Sequence, residues 1–326
     1  MTATARRLPG SSARDTRPSQ EDVVAISRAA GDARRALLLR LLRHDSFSVT
    51  ELVQLLDTAQ PALSHHLKIL REAGLVTARK EATSTFYRRA EVTGHPLKTA
   101  IFQALDANPL CNSLKARIDE LHAERERHVE RFFATNADAL RSQRLLICQA
   151  DVYAPSLRDL WQQQEPRRHA LEVGPGDVAI LESLATDFET VTAIDQAEAM
   201  LAPVRDAVTA QRNITFQRQE FTRLRTRLRF DAIVAAMVLH HMPSPRALFT
   251  QASRLLSSGG RLFIAELERH EHHWVRDACG DIWLGFTTDE LDQWAGSAGL
   301  QPGPRQFLAQ KNGFSIQILT YEKEQT

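Results

Sequence analysis

A chain of 326 residues, 43% hydrophobic and 25% charged, is long enough for two domains that each bury a core. Its 41 basic residues stand against 40 acidic ones, so bulk charge holds it on neither nucleic acid nor a membrane, and any such contact rests on a local patch. Three cysteines, Cys111, Cys148 and Cys279, lie far apart without a C-x-x-C pair, which speaks against a disulfide framework or a sequence-local thiolate metal site and suits a reducing cytoplasm.

Residues 1–20, MTATARRLPGSSARDTRPSQ, carry Arg, Ser and Pro but no apolar segment, and read as a disordered tail with neither secretory signal nor anchor. The longest apolar run, AIVAAMVL, falls far short of the roughly 20 residues a bilayer requires, so no membrane is expected. Over residues 21–95 short helical patterns follow one another. DSFSVTELVQLL opens with a capping box, Ser48 with Glu51, and sets Leu52, Leu55 and Leu56 on an inner face. Pro61 then begins a helix in which Leu63, Leu67 and Leu70 form a buried stripe, while Gln60, Ser64, Lys68 and Arg71 share the opposite face with His65 beside them. Gly74 ends it, and GLVTARK and STFYRR alternate as two strands about the tip EATS.

Helix, turn, polar-faced helix and hairpin make a winged helix-turn-helix, whose second helix enters a major groove. A solvated helix face is the plainer reading of the polar residues, but Lys68, Arg71, Arg79, Lys80, Arg88 and Arg89 outnumber Glu72 and Glu81 there. Gln60, Ser64 and His65 are short enough for base edges; Lys68, Arg79 and Lys80 suit phosphates and docking register, and Arg71 completes the DNA-binding face. Adjacent His65 and His66 point about 100° apart on a helix and do not share a metal. ALSHHLKILREAGLV after DARRALLLRLL resembles the ArsR family of winged-helix repressors over residues 22–92. The metal-sensing Cys-x-Cys pair of many such proteins is missing from TELVQLLDT, and His122 and His128 do not reproduce the spacing of the family's second metal site, so no metal is expected. Residues 96–150 read as helical, with Leu114, Ile118, Leu121, Val129 and Phe132 close to one stripe. The resemblance makes this a connector that pairs two chains, so that a homodimer presents two recognition helices to a double-stranded operator with half-sites about 34 Å apart.

After Pro166 the rhythm becomes strand, helix, strand: HALEV, DVAILESLATDF, TVTAID, NITFQRQE, FDAIVAAMVL and GGRLFIAEL. Such alternation builds a parallel sheet covered by helices, with ligands at the carboxyl ends of its strands. GPGDVA satisfies G-x-G-x-x-A and Asp195 follows at a ribose-binding distance, which fits a dinucleotide. Glu172 argues otherwise, since a carboxylate there repels a pyrophosphate but suits the ammonium and sulfonium of S-adenosylmethionine. LEVGPGD, AIDQAEAML, FDAIVAAMVLHHMPSP and LLSSGGRLFIAEL resemble successive motifs of class I S-adenosylmethionine-dependent methyltransferases over residues 150–322. The resemblance implies Gly174 and Gly176 beneath the methionine and sugar, Asp195 on the ribose with Gln196 beside it, Glu220 at the adenine edge, and Ala235 and Ala236 on the pocket floor. Val178 departs from it, standing where a third glycine is common; glycine there permits close packing of loop and helix.

These readings predict a multidomain chain, an α+β winged helix-turn-helix followed by an α/β doubly wound, Rossmann-like class I methyltransferase fold, divided 1–20, 21–95, 96–150 and 151–326. Methyl transfer asks for an aligned acceptor and at times a base. His240, His241, Glu266 and His270 are candidates, and the sequence singles out none of them. RLRTRLR, 223–229, reads as an exposed loop or edge. The fusion, with WVRDACGDIWLGFTTDEL and KNGFSIQIL, resembles S-adenosylhomocysteine-responsive ArsR-type regulators of methionine metabolism. That implies a dimeric repressor that takes S-adenosylhomocysteine or S-adenosylmethionine as its signal. The rivals are a working methyltransferase carrying a DNA-binding domain, and a constitutive DNA-binding protein with an unused pocket.

Overall fold

The computed structural model describes residues 19–43, 45–81, 84–90 and 95–324, apart from the side chains of 81, 126, 128–130, 133–145 and 277. Residues 1–18 of the expected tail, the centre of the wing tip and the side chains of His128 and Val129 lie outside this set, while Ser19 and Gln20, read as tail, cap and begin the first helix. The chain divides into two compact units at Cys111/Asn112, with wing residues 80–84 left outside the first. The expected connector 96–150 is thus shared between the two units.

The first unit holds α1 (Gln20–Ala30), α2 (Ala33–Leu41), β1 (Phe47–Ser48), α3 (Val49–Leu56), α4 (Gln60–Glu72), β2 (Val76–Glu81), β3 (Ser84–Arg89) and α5 (Pro96–Asp106), with the strands ordered β1-β3-β2. Local chemistry starts the helices. At α3 the Ser48 hydroxyl accepts from the Glu51 amide at 3.2 Å, and Glu51 Oε2 accepts from the Ser48 amide at 2.7 Å. Loss of that cap in Ser48→Ala lowers the stability of the winged-helix unit by about 1 kcal/mol, measurable as an earlier urea midpoint. Leu63, Leu67 and Leu70 of α4 are buried with Leu38, Leu39, Phe47 and Leu52, so the apolar stripe read from the sequence is the core face. Leu55 is buried and Leu56 half-buried. Gly74, at φ +62°, turns the chain from α4 into the wing, and Arg89 clamps Asp106 of α5 through two bonds of 2.6 and 2.9 Å.

The second unit opens with α6 (Asn112–Ile147) and α7 (Ala150–Gln162) and continues through β4 (His169–Val173), α8 (Val178–Asp187), β5 (Thr190–Asp195), α9 (Glu198–Ala207), β6 (Ile214–Arg218), β7 (Phe230–Ala236), α10 (Pro245–Leu255), β8 (Leu256–Leu267), α11 (Trp274–Cys279), α12 (Thr288–Ser297), β9 (Leu300–Ala309) and β10 (Ser315–Lys323). One seven-stranded sheet runs β6-β5-β4-β7-β8-β10-β9. Its first five strands are parallel, while β10 lies antiparallel to both β8 and β9. The near-continuous apolar runs of β4, β5 and β7 are buried, as central parallel strands require. β9 and β10 are not among the strands read from the sequence; Pro302 and Pro304 obscure β9, and they are tolerated because it lies at the sheet edge. Arg223, Arg225, Arg227 and Arg229 all lie exposed ahead of β7, as the basic run suggested. Among the described residues no helix is long and apolar enough to cross a membrane.

Candidate functional site

From β4 the chain winds outward to β5 and β6, and from β7 outward to β8, so the carboxyl ends of β4 and β7 bound the crevice where such a sheet takes ligands. Two cavities open there, of about 700 and about 100 Å³. Glu172, Gly176, Ala236, His240, His241 and Asp281 line the larger, and Gly174, Asp195, Gln196 and Glu220 the smaller. Met200, Met237 and His241 border both.

Glu172 sits one residue before the end of β4 at 2% exposure, and its Oε2 has no hydrogen-bond partner among the described residues. Burial, helped by the nearby Asp177 carboxylate, pushes its carboxyl well above the ordinary value of 4.5. Gly174 follows at φ +67°, and a Cβ there would stand 2.7 Å from Val238 Cγ2, so both backbone angle and space demand glycine. Asp177 caps α8 by accepting from the Ala179 amide at 2.8 Å. Val178, in the place of a third glycine, begins α8 on the wall of the larger cavity.

In the smaller cavity Asp195 Oδ1 accepts from the Ala197 amide at 2.7 Å, which fixes the turn after β5. Glu220 accepts from the Thr222 hydroxyl and pairs with Arg223 Nε at 2.7 Å. Ala235 corrects the expected floor: it is fully buried in the sheet and lines neither cavity, whereas Ala236 lines the larger. Alternation along a strand allows only one of two neighbours to face the ligand.

The four catalytic candidates separate. His240 and His241 stand on the cavity wall with ring centroids 4.1 Å apart. His240 Nδ1 meets Glu266 Oε1 at 2.6 Å, and Glu266, at 0% exposure, also accepts from the amides of His240 and Leu267. Glu266 lines neither cavity, so it positions His240 and touches no ligand. His270 lies elsewhere, packed on the Phe314 ring at 4.9 Å. Sequence reasoning missed Asp281, whose Oδ1 is 3.7 Å from His241 Nδ1 and 4.0 Å from His240 Nε2. An acid after a glycine reads as an ordinary turn, and only folding brings it to histidines 40 residues away. Cys148 and Cys279 line the same cavity, and burial pushes the Cys148 thiol up to about 12, so it stays protonated near neutrality. None of the three cysteines is in a disulfide.

α4 exposes Gln60, Ser64, His65, Lys68 and Arg71 along one face, and Lys80, on the wing, is exposed. Arg79 is half-buried and therefore less available to a phosphate. Lys68 rests 3.8 Å from Glu72 in a surface pair that a stronger anion can displace. His66 faces inward, where burial lowers its pKa against the pull of Asp32.

Residues 32–78 match the model of bacterial regulatory proteins of the arsR family. An HTH-type transcriptional regulator of Methanocaldococcus jannaschii is 44% identical over 68 residues, 21% of this chain and 76% of that protein. The chain belongs to the ArsR family. A biofilm growth-associated repressor of Agrobacterium fabrum is 40% identical to this ArsR-family chain over 81 residues, 25% of it and 69% of the repressor. Residues 171–264 match a methyltransferase domain. A ubiquinone biosynthesis O-methyltransferase of Coxiella burnetii is 29% identical over 149 residues, 41% of this chain and 64% of the enzyme. The ArsR-family chain thus spans less than two thirds of that relative. Its fold resembles that of the Burkholderia thailandensis 1,6-didemethyltoxoflavin-N1-methyltransferase, at 19% identity and a TM-score of 0.51, covering 67% of this chain and 92% of the other. The second unit is therefore a class I methyltransferase fold, joined in one chain to a winged helix-turn-helix.

Proposed function

We propose that this chain is a cytoplasmic, dimeric transcriptional repressor whose methyltransferase domain takes up S-adenosylhomocysteine or S-adenosylmethionine as its signal. The observation that carries the reading is Glu172, a buried carboxylate oxygen without a partner among the described residues, on the wall of a cavity beside a glycine loop. An amino-acid ammonium fits it, and both metabolites carry one. The adenosine half then falls to the smaller cavity, with Asp195 and Gln196 near the ribose and Glu220 near the base. The Burkholderia thailandensis structure contains S-adenosylhomocysteine, which accords with this assignment. The exposed face of α4 and the wing supply the DNA contacts, Gln60, Ser64 and His65 at base edges and Lys68 and Lys80 at phosphates, with Arg71 on the same face of α4 and the half-buried Arg79 in a lesser part.

The test is fluorescence anisotropy of the full chain on the DNA upstream of its own gene, titrated separately with each metabolite. One of them changes operator affinity about 5- to 150-fold, a coupling of about 1 to 3 kcal/mol. Operator affinity indifferent to both sinks the reading. On the same DNA, Ser64→Ala relaxes base discrimination, whereas Lys68→Ala weakens all sequences alike and lowers the salt slope by about one.

A second reading, a working methyltransferase, is favoured by one observation: the buried His240, His241 and Asp281 on the cavity wall, with Glu266 behind His240, are more chemistry than ligand uptake requires. Time-dependent conversion of S-adenosylmethionine in the presence of hydroxyl- or amine-bearing acceptors supports it. A conversion rate no higher than that without protein removes it.

A further inference from the structure

The cluster beside the larger cavity has the composition of a metal site. His240, His241 and Asp281 are all buried, and one donor atom from each lies within 4.8 Å of the others. Zinc-class ions hold imidazole nitrogen at about 2.0 Å and carboxylate oxygen at about 2.0 to 2.2 Å, which sets donors about 3.4 Å apart in a tetrahedron. The 3.7 and 4.0 Å separations from Asp281 Oδ1 to His241 Nδ1 and His240 Nε2 are wider than that spacing by about 0.3 and about 0.6 Å, which side-chain rotation closes.

The surroundings are arranged as a metal centre requires. A ligating histidine typically gives its other ring nitrogen to a carboxylate, which fixes tautomer and orientation. His240 does this: Nδ1 is committed to Glu266 at 2.6 Å, which turns Nε2 toward Asp281. Glu266 is itself anchored by the Leu267 amide at 2.7 Å. The loop bearing Asp281 is tied to the same histidine, because the amides of Ile282 and Trp283 both donate to the His240 carbonyl, at 2.9 and 3.1 Å. A rival partner of His241 Nδ1, the Gly280 carbonyl at 3.4 Å, is at the long limit of a hydrogen bond and readily gives way.

We propose that His240, His241 and Asp281 bind a first-row divalent transition metal of the zinc or cobalt class, with Glu266 holding His240 in its ligating orientation. Two imidazoles and a carboxylate suit such an ion over magnesium or calcium, which take all-oxygen cages. Three protein ligands leave a position open toward the cavity, where an oxygen or nitrogen donor of a bound small molecule can complete the shell. The assignment is independent of the nucleotide reading, since it is tested with metal alone.

The experiment uses the full chain, stripped with chelator and titrated with Co²⁺, followed by visible d–d absorption and calorimetry. One ion binds per chain. Asp281→Asn weakens binding at least tenfold, Glu266→Gln about 10- to 100-fold, and His272→Ala leaves it unchanged. X-ray absorption of the zinc-loaded wild-type chain reads two imidazoles, oxygen and no sulfur, and decides the matter even where a variant does not fold. The proposal is overturned by lack of one-to-one binding in the micromolar range, by binding that survives Asp281→Asn and His241→Ala intact, or by a shell containing sulfur, which would move the ion to Cys148 or Cys279 on the same cavity.

Discussion

Glu172→Gln lowers the affinity of the chain for S-adenosylhomocysteine by about 10- to 150-fold, because a hydrogen bond to a charged group contributes about 1.5 to 3 kcal/mol. The glutamine keeps the shape of the wall and removes the charge that an ammonium meets. Proton linkage separates this from simple damage. Burial raises the Glu172 carboxyl well above 4.5 in the empty pocket, so the folded chain retains a proton there that the unfolded chain has lost. The stabilising contribution of that proton is complete below pH 4.5 and disappears as pH rises through the raised value. An ammonium beside the carboxylate draws the value back down, so binding expels the proton, and affinity climbs with pH until the Glu172 carboxyl of the unliganded chain itself ionises. Calorimetry in two buffers of different ionisation heat registers the released proton in the wild type and none in Glu172→Gln. Equal affinities in the two proteins, flat with pH, would show that Glu172 does not meet the ligand's ammonium.

Trp161→Ala costs the methyltransferase unit about 3 to 5 kcal/mol. The indole of α7 is fully buried, lies edge-on to Phe263 at 6.4 Å between centroids, and donates from Nε1 to Asp187 Oδ2 at 2.9 Å. Truncation opens a cavity between α7 and the sheet and strips one donor from a carboxylate that Arg158 and Gln162 continue to hold. Trp161→Phe refills most of the volume and costs less. Urea unfolding followed by far-ultraviolet circular dichroism measures both, and a loss below about 1 kcal/mol in the alanine variant would place the core elsewhere.

The two halves of the fold were legible in the sequence for different reasons. In the winged helix, the 3.6-residue spacing of Leu63, Leu67 and Leu70 and the Ser48 capping box are local signals, and both hold in three dimensions. In the second unit the apolar runs of β4, β5 and β7 announce buried parallel strands, and the residues after β4 and β5 reach the cavities as a doubly wound sheet dictates. What stayed hidden is non-local. Asp281 gains its importance from His240 and Glu266, which other segments deliver, and no spacing encodes that meeting. β9 was obscured by its prolines, because edge position is a property of the whole sheet. His270 stands apart from the other candidates: its ring is packed against Phe314, and it lines a separate cavity of about 260 Å³.

Gly280, next to Asp281, adopts φ +74°, and a Cβ there would sit 2.5 Å from the ring of Phe132 on α6. Arg125 of the same helix donates to the Pro243 carbonyl at 2.7 Å and lies 5.8 Å from the Trp283 ring centroid. The loop that borders the cavity is therefore in direct contact with a helix of 36 residues. At 1.5 Å per residue that helix is a rod of about 54 Å, so a tilt of about 5° at one end carries the other through about 5 Å. In mechanical terms the cavity wall bears on a lever arm, and a displacement at Gly280 too small to alter the pocket's outline is multiplied at the rod's far end.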